Sequence, residues 1–84
     1  MAHFVYILKS LKDNRFYIGE TADLDRRIFE HNEGWVKSTR DRRPLVIVYT
    51  ETLESKSEGK KREKQIKAYK GGEAFKKLIS SDSN

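Results

Sequence analysis

Two strand-like runs joined by a short polar loop constrain this chain more than any other feature. "HFVYILKS" and "RFYIGET" are rich in aromatic and β-branched residues, and the "LKDN" between them supplies turn-forming side chains through Asp13 and Asn14. The pattern predicts an antiparallel hairpin. Its loop length decides which side chains share a face of the sheet.

An even-numbered loop, such as Asp13 and Asn14 alone, pairs residues of opposite parity, and paired residues share a face. Tyr6 and Tyr17 then lie on one face, together with Gly19 and Thr21. The residues left for the other face are Val5, Ile7, Phe16 and Ile18. An odd loop or a bulge would separate the two tyrosines.

The segment after the hairpin, "TADLDRRIFEHNEG", predicts a first helix. Thr21 or Asp23 can cap its start, Leu24 and Ile28 lie one turn apart, and Gly34 can end it in the left-handed conformation. Arg27 and His31 are also four residues apart and lie on a neighbouring stripe.

Pro44 precedes a third predicted strand, "LVIVYT", which like the first is apolar without alternation. That composition favours burial on both faces and therefore helices on both sides of the sheet. Ser55 and Glu58 form a capping-box pattern that opens a second helix, through about Tyr69. Its weak apolar stripe of Gly59, Ile66 and Tyr69 includes Glu63, so a carboxylate is expected where a core residue usually lies. Gly71 and Gly72 break the helix, and "EAFKKLIS" predicts a third one that packs through Phe75, Leu78 and Ile79.

The 84 residues predict one small domain over residues 1–80, with a frayed tail over residues 81–84. Without cysteine, neither a disulfide nor a thiolate zinc site can stabilise the fold, and a reducing compartment is the natural setting. The apolar run at residues 4–8 is too short for an export signal or a membrane span. We therefore expect a cytoplasmic protein without a membrane partner.

The charge balance permits a polyanionic partner. Eighteen Lys and Arg against thirteen Asp and Glu give a net charge of +5. One predicted loop concentrates Lys37, Arg40, Arg42 and Arg43, and the second helix is also rich in lysine. A solvated basic face is the alternative interpretation of both clusters.

Each candidate residue for chemistry also has an ordinary structural explanation. A strand tyrosine commonly packs with its hydroxyl in water, and a histidine near a helix C-terminus interacts favourably with the helix dipole. Arg27 can be a surface cation, and Glu63 can pair with Lys67 or Lys60 on its own helix. These separate explanations do not account for the predicted location of all these residues on one surface.

Several separated motifs carry a family resemblance. "VYI" at 5–7, "YIG" at 17–19, then Thr21, Arg27, the pair His31-Asn32 and Glu63 in "KREKQIK" resemble the GIY-YIG endonuclease domain. The similarity is greatest to small stand-alone bacterial members related to the catalytic module of the excision-repair nuclease, and it extends over residues 3–79. It implies an α+β fold with a three-stranded antiparallel sheet flanked by about three helices, in the order β-β-α-β-α-α.

The resemblance also implies site roles and a substrate. Tyr6, Tyr17, Arg27 and His31 would be catalytic, and Glu63 would hold one divalent ion, Mg²⁺ or Mn²⁺. The scattered acidic residues agree with one ion rather than two, because two-metal nucleases need several converging carboxylates. The substrate would be DNA, branched or damaged, cleaved by water. Further substrate contacts are predicted for Lys9, Thr21, Lys37, Thr39, Arg40 and Arg43.

Two points stay open from the residues. Tyr6 can act as the base if Arg27, the metal ion and Lys9 lower its pKa, and His31 is a competing base or a relay. Rival functions are a nucleic-acid binder without catalysis, using loop 37–43, and a nuclease subunit that works only with a protein partner supplying specificity. The sequence offers no aromatic platform from which to argue for RNA.

Overall fold

The computed structural model describes residues 2–81 and has the predicted element order. The strands are β1 (His3–Ser10), β2 (Phe16–Thr21) and β3 (Leu45–Leu53). The helices are α1 (Leu24–Asn32), α2 (Lys56–Lys67) and α3 (Glu73–Ser81), with a short 3₁₀ turn at Arg40–Arg42. The predicted α+β class and β-β-α-β-α-α order are confirmed. Most of the predicted frayed tail, residues 82–84, lies outside the described residues.

The hairpin loop has the even parity on which the placement of the tyrosines depended. Tyr6 pairs with Gly19 and Leu8 pairs with Tyr17, while Ser10 N donates to Arg15 O. The loop therefore contains four residues, 11–14, rather than Asp13 and Asn14 alone. Both tyrosines lie on one face of the sheet.

β1 is the central strand, in the sheet order β2-β1-β3, and supplies side chains to two separate cores. Its odd-numbered residues Val5 and Ile7 pack with Ile66 of α2 and Phe75 of α3. Its even-numbered residues Tyr6 and Leu8 pack with Leu45, and Leu24 and Ile28 of α1 lie against them. Helices therefore cover both faces of the sheet, as the apolar strands predicted.

The prediction that β3 is buried on both faces is wrong. This strand lies at the edge of the sheet, and its register shifts by one residue opposite Ile7 and Leu8. Val46 and Ile47 are exposed as a result. An apolar run without alternation indicates a strand, but it does not distinguish a central strand from an edge strand.

Side-chain caps fix the starts of α1 and α2 at predicted residues. Asp23 accepts from Arg26 N to cap α1, and Ser55 accepts from Glu58 N to cap α2. Gly34, with φ of +81°, follows the end of α1 as expected. Within residues 2–81, none of the helices has the length and hydrophobicity of a transmembrane segment.

An ionic cluster holds α2 against β3. Arg62 Nε donates to Glu51 Oε1 over 2.8 Å, and Glu51 also accepts from the hydroxyl of Tyr49. Burial and this carboxylate raise the pKa of Tyr49 to about 12, and Glu51 raises the pKa of Arg62. The cluster lies next to Glu63 in sequence, so it contributes to the position of that carboxylate.

Candidate active site

Tyr6, His31 and Thr39 form a buried chain of hydrogen bonds between the sheet and α1. Tyr6 Oη lies 2.9 Å from His31 Nε2, and His31 Nδ1 lies 2.7 Å from Thr39 Oγ1. The three residues are 1%, 0% and 0% exposed. The predicted pair of Tyr6 and His31 is thus in direct contact, with Thr39 as an additional member of the chain.

The glycine of the second motif makes room for the Tyr6 ring. Gly19 is the cross-strand partner of Tyr6, and a Cβ at position 19 would overlap the Tyr6 hydroxyl. Any larger residue would force the ring to move. Gly19 therefore sets the position of the hydroxyl that contacts His31.

Arg27 reaches the same hydroxyl from the preceding turn of α1. Its guanidinium lowers the pKa of Tyr6 by hydrogen bonding and charge, and its Nη1 donates to Glu30 Oε1 over 3.1 Å. Because a guanidinium only donates, its position favours a phenol that turns its oxygen lone pairs to Arg27 and donates its proton to His31 Nε2. His31 is then neutral and carries its proton on Nδ1, which donates to Thr39.

Burial is the main cause of the shifted pKa values of Tyr6 and His31. It raises the pKa of Tyr6 to about 12, against the Arg27 hydrogen bond that lowers it. Burial and the Arg27 charge lower the pKa of His31 to about 4. Arg27 thus acts in the expected direction, but the Tyr6 pKa is raised overall because desolvation of the phenolate is the larger effect.

Tyr17 completes an aromatic cluster around the histidine. Its ring centroid lies 6.3 Å from that of Tyr6 and 5.0 Å from that of His31, the latter edge to face. Tyr17 is half-buried, whereas Tyr6 is buried. Of the two phenols, Tyr17 is therefore the one more open to a ligand.

Glu63 has the inward position that the helix stripe predicted. It lies between the buried residues Gly59 and Ile66, is only 22% exposed, and its charge raises the pKa of Tyr6. Its carboxylate forms an ion pair with Lys67, at 3.4 Å. Within residues 2–81, no group of three or more His, Cys, Asp and Glu side chains converges. A single carboxylate suits a Mg²⁺-like ion that takes its other ligands from water and phosphate.

Two of the predicted substrate contacts lie elsewhere. Lys9 has the same parity as Val5 and Ile7, so it extends from the face of β1 opposite to Tyr6. Thr39 is fully buried on His31, which leaves its hydroxyl out of reach of a phosphate. Thr21 shares the Tyr6 face, but its hydroxyl bonds to the backbone of Asp23 in the turn before α1.

Loop 37–43 is ordered by hydrogen bonds and leaves three predicted cations at the surface. Lys37, Arg40 and Arg43 are exposed. Arg43 Nε donates to Arg40 O over 2.8 Å, and Ser10 Oγ donates to Arg42 O over 2.6 Å. These hydrogen bonds hold the backbone of the segment in place, and its exposed cations agree both with the predicted substrate contacts and with a solvated basic face.

Sequence reasoning missed two structural contributions to the site. Thr39 acts on a histidine eight residues away, across a loop without periodicity. Asn32 both donates to Leu45 O and accepts from Leu45 N, which fixes the end of α1 against β3. The adjacent pair His31-Asn32 was visible in the sequence, but the backbone partner of Asn32 was not.

Comparison with known proteins identifies the family. The chain is 44% identical over 77 residues to a UPF0213 protein of Staphylococcus haemolyticus, covering 90% of this chain and 93% of that protein. A UPF0213 protein of Staphylococcus epidermidis is 47% identical over 68 residues, covering 80% of this chain and 82% of that protein. The solution NMR structure of a UPF0213 protein from Bacillus halodurans is similar with a TM-score of 0.55 and 39% identity, covering 96% of this chain and 84% of that chain. The GIY-YIG catalytic domain matches residues 2–75, a range that contains the Tyr6, Arg27 and His31 constellation as well as Glu63. The chain therefore belongs to the GIY-YIG family.

Proposed function

We propose that this protein is a metal-dependent endonuclease that hydrolyses DNA phosphodiester bonds, at branched or damaged sites arising in repair or recombination. The family is one of nuclease domains, which implies a nucleic-acid substrate. The observation that carries the proposal is the Tyr6 hydroxyl, held between a neutral histidine and an arginine. Because the chain lacks cysteine, we infer that it works in the cytoplasm.

The hydrogen-bond chain defines a route for the proton of the attacking water. The water oxygen bonds to phosphorus, its proton passes to Tyr6 Oη, and the Tyr6 proton passes to His31 Nε2. The bond from phosphorus to the leaving oxygen breaks, and that oxygen takes a proton from solvent. Tyr6 thereby acts as a relay and His31 as the final acceptor.

Free energies favour this relay over a tyrosine that is ionised in advance. With a pKa of about 12, a free Tyr6 phenolate at pH 7 costs about 7 kcal/mol. Protonating His31, with a pKa of about 4, costs about 4 kcal/mol at the same pH. The relay therefore avoids a free phenolate, and its own cost is the protonation of a weakly basic imidazole.

Arg27 has two roles in the proposed reaction. It is half-exposed, whereas Tyr6 is 1% exposed, and it hydrogen-bonds and lowers the pKa of the phenol, so it lies between the phenol oxygen and solvent in this proposal. A bound phosphate would attract this cation, free the second acceptor position of Tyr6 Oη for water, and gain a forked pair of donors. Tyr17, at the open side of the cluster, supports the phosphate or a water molecule.

Glu63 would hold the divalent ion, Mg²⁺ or Mn²⁺, with Lys67 moving off the carboxylate. When bound, the ion supplies positive charge that offsets developing charge on the phosphate and lowers the pKa of nearby water. Lys37, Arg40 and Arg43 would contact phosphates farther along the substrate.

A cleavage assay on branched, flapped and plain duplex DNA with Mg²⁺ tests the proposal. We expect Glu63→Gln, Arg27→Ala and Tyr6→Phe each to reduce the rate by about 10²- to 10⁴-fold. Glu58→Gln, on an exposed side of the same helix, is the matched control and should cleave like wild type. EDTA should abolish cleavage and added Mg²⁺ should restore it.

Wild-type protein that cleaves none of the three substrates with Mg²⁺ or Mn²⁺ would overturn the proposal. Salt-sensitive DNA binding without cleavage, unaffected by Glu63→Gln, would instead support a binding module. Cleavage that appears only on adding a copurifying protein would identify a subunit that depends on its partner.

A further inference from the structure

An exposed aromatic pair lies on the outer side of α1, away from the two cores. Phe29 and Trp35 are 55% and 68% exposed, and their rings meet edge to face with centroids 5.6 Å apart. Trp35 N donates to Glu30 O over 3.0 Å, so an ordered backbone holds the indole in solvent. Neither residue takes part in the proposed chemistry.

The charges around the pair differ between its two sides. On the Trp35 side, the Arg43 guanidinium lies against Gly34, 2.8 Å from where a Cβ of that residue would be. Lys37, two residues after the indole, is also exposed. On the Phe29 side, Asp25 lies one helical turn before the ring and Glu33 one turn after it, with Glu33 two residues before the indole. The tryptophan side is therefore the side suited to a polyanion.

The segment that carries Trp35 is attached to the candidate active site at both ends. It follows α1, whose last residues are His31 and Asn32, and its Thr39 hydroxyl hydrogen-bonds back to His31. Hydrogen bonds from Thr39 N and Arg40 N to Val36 O fix the turn between them. The indole thus has a defined position relative to the histidine.

We propose that Trp35 stacks on an unpaired base of the nucleic-acid substrate, while Lys37 and Arg43 contact the adjoining phosphates. This inference rests on the proposed function and narrows its substrate class to nucleic acid that contains unpaired nucleotides. Bases inside a duplex are already stacked on each other, so only an unpaired base offers a free face to the indole. An exposed aromatic beside cations is the arrangement that binds single strands.

Fluorescence gives a direct test, because Trp35 is the single tryptophan of the chain. The inactive Glu63→Gln variant is titrated with a single-stranded oligonucleotide, the matching duplex, and the same strand with abasic sites. We expect the single strand to quench Trp35 and the abasic strand, which keeps its phosphates, to quench far less. Trp35→Ala should weaken single-strand binding by about 5- to 150-fold, measured by anisotropy of a labelled strand. Trp35→Phe should restore much of the affinity, and duplex affinity should change by less than about twofold.

The inference is overturned if saturating single strand leaves the fluorescence unchanged, or if Trp35→Ala binds single strand and duplex like its parent. It is also overturned if the patch joins two copies of the chain. Sedimentation would then show a concentration-dependent dimer that Trp35→Ala abolishes. Because binding is measured in a variant that does not cleave, a failure of stacking remains distinct from a failure of nuclease activity.

Discussion

Thr39 is the hydrogen-bond partner of His31 Nδ1 and holds the imidazole against Tyr6. Its hydroxyl lies 2.7 Å from Nδ1, and in the tautomer whose Nε2 accepts the Tyr6 proton it is the acceptor for the buried Nδ1–H. In the opposite tautomer Nε2 would donate, and the Tyr6 hydroxyl would lose its acceptor. Thr39 therefore acts on the proposed reaction through His31, as a positioning residue.

Thr39→Val, which keeps the shape of the side chain and removes the hydroxyl, should lower the cleavage rate by about tenfold or more. Thr39→Ser should restore it, because the hydroxyl returns while the methyl group is lost. ¹⁵N spectra of the imidazole check the mechanism independently of the rate: wild type and Thr39→Ser should show the Nδ1–H tautomer, and Thr39→Val a mixture. A serine variant as slow as the valine variant would mean that packing, not hydrogen bonding, is the contribution of Thr39.

Alternation along the hairpin was the most informative local rule in the sequence. It placed Tyr6 and Tyr17 together, and the structure confirms the even loop on which this depended. The same rule excludes Lys9, since its parity is that of Val5 and Ile7. The role of Thr39 could not be predicted in this way, because its contact depends on how a loop without periodicity folds back onto α1.

The ion pair between α2 and β3 is expected to stabilise the fold more than an exposed ion pair does, because it is more buried. Arg62 and Glu51 are 2.8 Å apart with side chains 22% and 23% exposed, while Arg26 pairs with Glu30 at 3.3 Å and is 76% exposed. Little water reaches the first pair, so the loss of one partner leaves a poorly solvated charge. The second pair is screened by solvent.

Arg62→Gln should reduce the free energy of unfolding by about 1–3 kcal/mol, measured by urea denaturation. Arg26→Gln is the matched control, and its denaturation midpoint should equal that of wild type within error. Because Glu63 follows Arg62 in sequence, the variant should also raise the Mg²⁺ concentration required for half-maximal cleavage. Equal midpoints for the two variants would contradict the assigned role of the cluster.

At the level of secondary-structure elements, the edge position of β3 could not be predicted from the sequence. The number, type and order of the strands and helices follow from turn residues, caps and apolar periodicity. The identity of the central strand does not follow from these patterns, because an apolar run without alternation is compatible with a central or an edge position in the sheet. The exposed pair Phe29 and Trp35 was missed for a related reason, since a helix pattern alone does not show that two aromatic rings meet outside the core.

Across the whole molecule, the candidate site and one of the two cores are the same structure. Tyr6 is a core residue packed with Leu8 and Leu45, and its hydrogen-bond partner His31 is fully buried. A protonation change at the site is therefore also a change in the stability of the fold. This coupling gives the pH dependence of unfolding a predictable sign.

The pKa of His31 is about 4 in the folded protein and near 6.5 when the chain is unfolded. Above pH 6.5 both states are neutral at this residue. As the pH falls below 6.5 the unfolded state binds a proton that the folded state excludes, so stability declines until about pH 4. Between about pH 7 and pH 5 this amounts to about 2 kcal/mol.

Urea denaturation at about pH 7, 6 and 5 of wild type and His31→Gln measures this coupling. The variant should be less stable at pH 7, and its loss of stability between pH 7 and pH 5 should be smaller than that of wild type by about 2 kcal/mol. Carboxylates with lowered pKa values, such as Glu20, contribute in the same direction but only below their unfolded value of 4.5, and they are present in both proteins. Parallel pH dependences would show that His31 accepts a proton in the folded core. In that case the histidine would be available as a base without the relay through Tyr6.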